Sequence, residues 1–157
     1  MRFTTLATLS TVALSAALMG PPHLHITPVA GTPAMGAKAL TIELEHHHQL
    51  DQLTVTARAI TQRNSARVEQ PLTLTRTDSA HFTVPRTWDG STPWVVVIAA
   101  EQGPNGAHGV AEALVSIDRT GAVRGIEYTT PGFIERTGEP RRVTREHLDR
   151  TLRALLP

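Results

Sequence analysis

The sequence predicts an all-β fold, a seven-stranded antiparallel immunoglobulin-like sandwich followed by a short C-terminal α-helix. Three observations support this prediction. Apolar residues alternate with polar residues in short segments between residues 39 and 128. Turn-forming residues separate these segments about every 8 to 15 residues, which favours a sandwich. Residues 143–157 have a helical period instead.

The first predicted strand has the clearest alternation. In "ALTIELE" (39–45), Leu40, Ile42 and Leu44 share one face, and threonine and glutamate occupy the other. This is the pattern of a strand with one buried face. "WVVVIAAE" is apolar almost throughout, which predicts a central strand covered on both faces. The remaining predicted strands are 53–60, 71–76, 81–84, 110–117 and 122–128.

Residues 143–157 predict an amphipathic helix. Thr144 is suited to the N-cap position, and Val143 and Leu148 have the spacing of a hydrophobic staple. The leucines of this segment form one stripe, Leu148, Leu152, Leu155 and Leu156. We expect the stripe to pack on the sandwich and cover a face or an edge. The alternative is a helix that binds a partner or a membrane.

The N-terminal segment, residues 1–20, is typical of a signal peptide. Arg2 precedes an uncharged apolar run that is shorter than the roughly 20 apolar residues needed to span a bilayer. We therefore expect a periplasmic or secreted protein with no stable membrane span once the leader is removed. The alternative is an uncleaved N-terminal segment that is amphipathic or buried. The expected order is signal peptide 1–20, flexible lead-in 21–38, sandwich 39–128, Pro/Gly linker 129–142 and helix 143–157.

Composition excludes several kinds of site. The chain of 157 residues has no cysteine, which excludes disulfides, thiolate metal sites and an acylated-cysteine anchor. Its formal net charge is +1, it has no basic stripe, and it has only three Phe, two Trp and one Tyr. Nucleic-acid binding is therefore not expected.

Motifs of known enzymes are also missing from the sequence. We find no G-x-S-x-G elbow, no H-E-x-x-H pair, no P-loop, no dinucleotide-binding glycine motif and no EF-hand loop. "EHLD" at 146–149 supplies a single histidine without a second one four residues away. We predict no catalytic residues and no enzymatic activity.

The stretch "ELEHHHQLDQL" (43–53) contains the strongest candidate for a binding site. Imidazole is a good ligand for zinc, copper and nickel. Because consecutive strands of a sandwich alternate in direction, the turns 46–52 and 77–80 and the loop 102–109 should lie at one end. We call this end the histidine pole; it comprises residues 46–52, 77–81 and 102–109. It would gather His46, His47, His48, His81 and His108.

The predicted metal ligands are His46, His48 and His108, with His81 next. Such a site would lose its metal at acidic pH, since a protonated imidazole cannot coordinate. The alternative is that "EHHHQ" is the solvated end of a strand that binds no cofactor.

The segment "FTVPRTWDGSTPWVVVIAAEQG" (82–103) ends one hairpin, turns through Pro and Gly, and enters an apolar strand. With the order of strands in 39–128, it resembles the immunoglobulin-like and transthyretin-like (carboxypeptidase-regulatory-like) sandwich modules of exported bacterial proteins. The paired cysteines of antibody domains are missing here. The resemblance implies a non-catalytic module that binds or braces an envelope partner. The alternative function is a periplasmic protein that handles copper, zinc or nickel.

Overall fold

The structure, a computed structural model, describes residues 21–45, 50–107, 109–129 and 142–156. Within them the chain forms nine β-strands in two antiparallel sheets and an α-helix near the C-terminal end. The all-β prediction with a closing helix is confirmed at this level. The elements are β1 (His23–Pro28), β2 (Lys38–Glu45), β3 (Leu53–Arg63), β4 (Ala66–Leu72), β5 (Thr75–Arg76), β6 (His81–Pro85), β7 (Trp94–Gln102), β8 (Gly109–Ile117), β9 (Val123–Tyr128) and α1 (Arg145–Ala154).

The two sheets face each other across one apolar core. The four-stranded sheet has the order β1-β2-β6-β5, and the five-stranded sheet has the order β4-β3-β7-β8-β9. Among the described strands the chain passes from one sheet to the other three times, between β2 and β3, between β4 and β5 and between β6 and β7. The alternating residues of β2 point inward as predicted, with Leu40, Ile42 and Leu44 buried against the inward side chains of β7 and β8.

The predicted number of seven strands is wrong, because the described residues alone form nine. One additional strand, β1, lies within 21–38, where a flexible lead-in was expected. It pairs with β2 along its whole length, and its Leu24 and Ile26 are buried in the core. The sequence pattern does not predict β1, because only two apolar residues, Leu24 and Ile26, alternate with polar residues before Pro28 ends the segment.

The second difference lies in the predicted strand 71–76. The structure divides this segment between β4, which starts earlier at Ala66, and the two-residue strand β5. Strands β3 and β4 form a hairpin whose turn residues, Asn64 and Ser65, have φ of 50° and 65°. Both values are positive, as a type I′ turn requires. Without a glycine in the turn, the hairpin had no strong sequence signal.

Helix α1 packs on the outer face of the five-stranded sheet, as the leucine stripe predicted. Leu148 and Leu152 are buried against a second apolar cluster on that face, formed by Ile60, Val95, Val97 and Leu114. The Thr144 hydroxyl accepts a hydrogen bond from the His147 amide at 3.1 Å and caps the helix. Strand β7 is therefore covered on both faces. No helix in the described part of the chain is long and apolar enough to cross a membrane.

Candidate functional site

The described parts of the loops that make up the histidine pole lie at one end of the sandwich. Leu53 pairs with Gln102, and Gln102 pairs with Gly109, which brings the start of β3 beside the loop between β7 and β8. The turn between β5 and β6 reaches the same end, where Arg76 Nη2 lies 3.1 Å from Asp51 Oδ1. The described parts of these loops and His81 therefore lie at one end of the two sheets.

Three of the four predicted metal ligands, His46, His48 and His108, lie outside the described residues, and so does His47. Their role stays a prediction. His81 is described, and it is the first residue of β6. Across 21–45, 50–107, 109–129 and 142–156, no three His, Asp or Glu side chains are placed together so that they could hold a metal ion as they stand.

His81 is held by the turn that precedes it. The backbone amides of Ala80 and His81 donate hydrogen bonds to Asp78 Oδ1, at 2.8 and 2.9 Å. The imidazole Nδ1 of His81 lies 2.9 Å from both carboxylate oxygens of Asp78. An ionised carboxylate only accepts, so Nδ1 carries the proton. In the neutral imidazole, Nε2 then has its lone pair available as a ligand.

The same contacts change the acidity of both groups. The hydrogen bond that His81 Nδ1 donates to Asp78 raises the pKa of His81 above the ordinary value of 6.5, and the negative charges of Asp78 and Glu43 act in the same direction. In return, the hydrogen bond with His81 lowers the pKa of Asp78 below 3.8. Asp78 therefore stays ionised and keeps the orientation of the imidazole over a wide range of pH.

A row of charged and imidazole side chains crosses the outer face of the four-stranded sheet. His25 of β1 pairs with Glu43 of β2, and Glu43 pairs with His81 of β6. Directly paired residues point to the same side of an antiparallel sheet. His81 Nε2 lies 3.8 Å from Glu43 Oε1. His25 and Glu43 are exposed, and His81 is half-buried.

A second row on this face consists of threonines alone. Thr27, Thr41, Thr83 and Thr75 are paired in register across β1, β2, β6 and β5. Neighbouring strands lie about 4.8 Å apart, so the four side chains form a regular line of hydroxyls and methyl groups. This row of the outer face of the four-stranded sheet is therefore polar and regular.

A groove of about 420 Å³ lies on the outer face of the other sheet, beside the start of α1. Arg142 Nη1 lies 2.6 Å from Glu101 Oε1 and 3.6 Å from Glu112 Oε1. Arg58 Nη1, on the opposite wall, lies 2.9 Å from Glu69 Oε1. Each charged side chain of the groove thus has a partner of opposite sign within it. The ion pairs at Arg142 attach the segment before α1 to the sheet.

The sequence predicts His81 as a site residue, and the structure adds His25, Glu43 and Asp78 beside it. The i, i+2 spacing in "HLH" (23–25) is a signal for His25, but it does not by itself predict a strand. The pairing of β1 with β2 and of β2 with β6 decides which side chains share a row. That pairing joins residues far apart in sequence, and local patterns do not reveal it.

A comparison with models of known protein families finds no match. Comparisons with curated protein sequences and with solved structures find none either. The arrangement of two antiparallel sheets is compatible with a β-sandwich.

Proposed function

We propose that the chain is an exported, non-catalytic β-sandwich module that binds or braces a partner in the cell envelope. The observation that supports this best is the outer face of the four-stranded sheet. α1 covers part of the corresponding face of the five-stranded sheet, whereas the row of threonines and the row of His25, Glu43 and His81 are accessible. A polar partner surface that makes hydrogen bonds fits this face.

The physical reason lies in the rigidity of the face. Threonine hydroxyls both donate and accept hydrogen bonds, and their β-branched side chains have few rotamers. The inward residues of the same strands, such as Ile42 and Val84, are fully buried and hold the backbone in place. Binding would therefore order few groups, which lowers its entropic cost.

Site-specific photocrosslinking in envelope preparations tests this proposal. A benzophenone amino acid is placed at Thr41, at Thr83 or, as the matched control, at exposed Arg153 of α1. We expect one crosslinked product of the same mass from positions 41 and 83, competed by excess unmodified protein, and none from position 153. Equal products from all three positions, or no competed product, would contradict the proposal.

A second candidate function, a periplasmic protein that handles zinc, copper or nickel at the histidine pole, is favoured by the orientation of His81. Its test is isothermal titration with zinc and copper(II) at pH 7.5 and pH 5.5. Submicromolar binding that is present at pH 7.5 and lost at pH 5.5 supports this function. If neither metal gives a heat of binding at either pH, the metal-handling function is wrong.

A further inference from the structure

We propose that His25, Glu43 and His81 form a binding site for a divalent transition metal across β1, β2 and β6, with Asp78 orienting His81. This site differs from the ligand set predicted from sequence, which lies mainly in the turn 46–48 and at His108. The inference deepens the metal-handling function and rests on it. Zinc, which both imidazole and carboxylate ligands bind, is the probe metal.

The first step is the preorganisation of His81. Histidines that bind metals commonly donate the second ring N–H to a carboxylate, which fixes the tautomer and the direction of the ligating nitrogen. Asp78 is the carboxylate that accepts this bond here, with both of its oxygens 2.9 Å from His81 Nδ1. Arg76 fixes the turn by donating to the carbonyl oxygens of Asp78 and Ser79, each at 2.9 Å.

The second step is the position of Glu43. Its Oε1 lies 3.8 Å from His81 Nε2, which is too long for a hydrogen bond. A zinc ion bonds imidazole nitrogen and carboxylate oxygen at about 2.0–2.2 Å each. Two donors 3.8 Å apart are therefore wide enough for both to bond one ion between them. A carboxylate and an imidazole nitrogen already face each other at this spacing.

The third step is the place of His25 on the other side of Glu43. The three residues are in register, so the two histidines are two strand spacings apart, about 9.5 Å between Cα atoms. Both imidazoles can lean over the central carboxylate from opposite sides. The three side chains do not converge on one point as they stand in the described part of the chain. His25 and Glu43 are exposed, so the proposed site forms when these two side chains rotate towards His81 Nε2.

Charge favours a divalent cation here. Glu43 is a direct ligand, Asp78 stands behind His81, and together they bring two negative charges to a pair of neutral imidazoles. Glu45 lies two residues further along β2 on the same face, paired with His23. A cation with two charges is thus balanced at the site, and water can fill the fourth position of a tetrahedral zinc ion.

Isothermal titration of the purified chain with zinc at pH 7.5, without a polyhistidine tag, tests the site. We expect at least a tenfold loss of affinity for His25→Ala, for His81→Ala and for Glu43→Gln. Asp78→Asn should weaken binding 10- to 100-fold, since it removes the orienting carboxylate. The control His147→Ala, in α1, should bind zinc within threefold of the unchanged protein. Circular dichroism checks that each variant is folded.

A further variant distinguishes this cross-strand site from the ligand set predicted from the sequence. Replacing His46, His48 and His108 together with alanine should leave zinc affinity within threefold. If binding is lost in that variant but kept in His25→Ala, the metal-handling function stands and the cross-strand site is wrong. If the unchanged protein binds no zinc, both are wrong.

NMR gives a second readout that does not depend on affinity. On addition of zinc, the imidazole nitrogen signals of His25 and His81 should shift together and that of His147 should not. A shift of His81 without His25 would overturn the three-residue site.

Discussion

Asp118 stabilises the turn between β8 and β9 by accepting hydrogen bonds from several directions. The hydroxyl and the amide of Thr120 donate to its Oδ1 at 2.6 and 2.8 Å, the Ala122 amide donates to the same oxygen at 3.1 Å, and Arg124 pairs with Oδ2. These bonds, that of the Thr120 hydroxyl first, lower the pKa of Asp118 to about 2. The turn therefore depends on an ionised carboxylate.

Replacing this carboxylate should change stability in a pH-dependent manner. A group with a lowered pKa stabilises the fold above its ordinary pKa, here 3.8, and this contribution disappears as pH falls towards about 2. We expect Asp118→Asn to be less stable than the unchanged protein at pH 6, with the difference shrinking between pH 4 and pH 2. Urea unfolding at a series of pH values measures this. A difference that is constant with pH would contradict the role of the charge.

The Asp78–His81 contact makes a prediction for a titration in solution. Because the hydrogen bond that His81 donates to Asp78 raises the pKa of His81, the imidazolium should persist above pH 6.5. In Asp78→Asn the His81 pKa should fall back towards its ordinary value. NMR titration of the ring protons measures both pKa values in metal-free buffer. Equal pKa values in the two proteins would show that this contact is not formed in solution.

At the scale of elements, the docking of α1 depends on two buried leucines. Leu148 is 3% exposed against the outer face of the five-stranded sheet, whereas Leu156 is 41% exposed. Leu148→Ala should lower the free energy of unfolding by about 2–4 kcal/mol, and the matched control Leu156→Ala by less than about 0.5 kcal/mol. Urea unfolding followed by circular dichroism measures both. Similar losses from the two variants would mean that the helix does not pack as described.

Strand β1 can be tested in the same manner, because two adjacent residues face opposite sides. Ile26 is 4% exposed in the core, and Thr27 is on the outer face. If 23–28 is a strand, Ile26→Ala should cost about 2–4 kcal/mol and Thr27→Ala less than about 0.5 kcal/mol. In a flexible lead-in neither substitution would change the unfolding midpoint.

At the scale of the whole molecule, a side chain joins the edges of the two sheets. The Ile26 amide, on the edge strand β1, donates a hydrogen bond to the Tyr128 hydroxyl of β9 at 3.0 Å. This contact satisfies an edge amide that would otherwise need water or another strand.

Removing the Tyr128 hydroxyl should destabilise the contact between β1 and β9. We expect Tyr128→Phe to cost about 0.5–1.5 kcal/mol in unfolding free energy and to speed hydrogen exchange of the Ile26 amide. The Ile42 amide, in the interior strand β2, serves as the internal reference. Exchange at Ile26 that keeps its rate relative to Ile42 would argue against the link.

The limits of prediction follow from how far apart the interacting residues are in sequence. Alternation over a few residues was enough to predict β2, and a leucine stripe with Thr144 before it was enough for α1. The hairpin of β3 and β4 was missed because β4 is a polar edge strand entered through Asn64 and Ser65. His81 was predicted as part of the pole, but its partner Asp78 was not, since the turn geometry creates that contact.

The sequence by itself determined the class of the fold, because burial of one face imposes a period of two on a strand and about 3.6 on a helix. It also determined which end of the sandwich carries His81, since strand directions must alternate. Only the tertiary structure decided that His25, Glu43 and His81 share a row and that four threonines are aligned beside them. Register depends on pairing between distant segments, and a shift of one residue would turn each of these side chains to the opposite face.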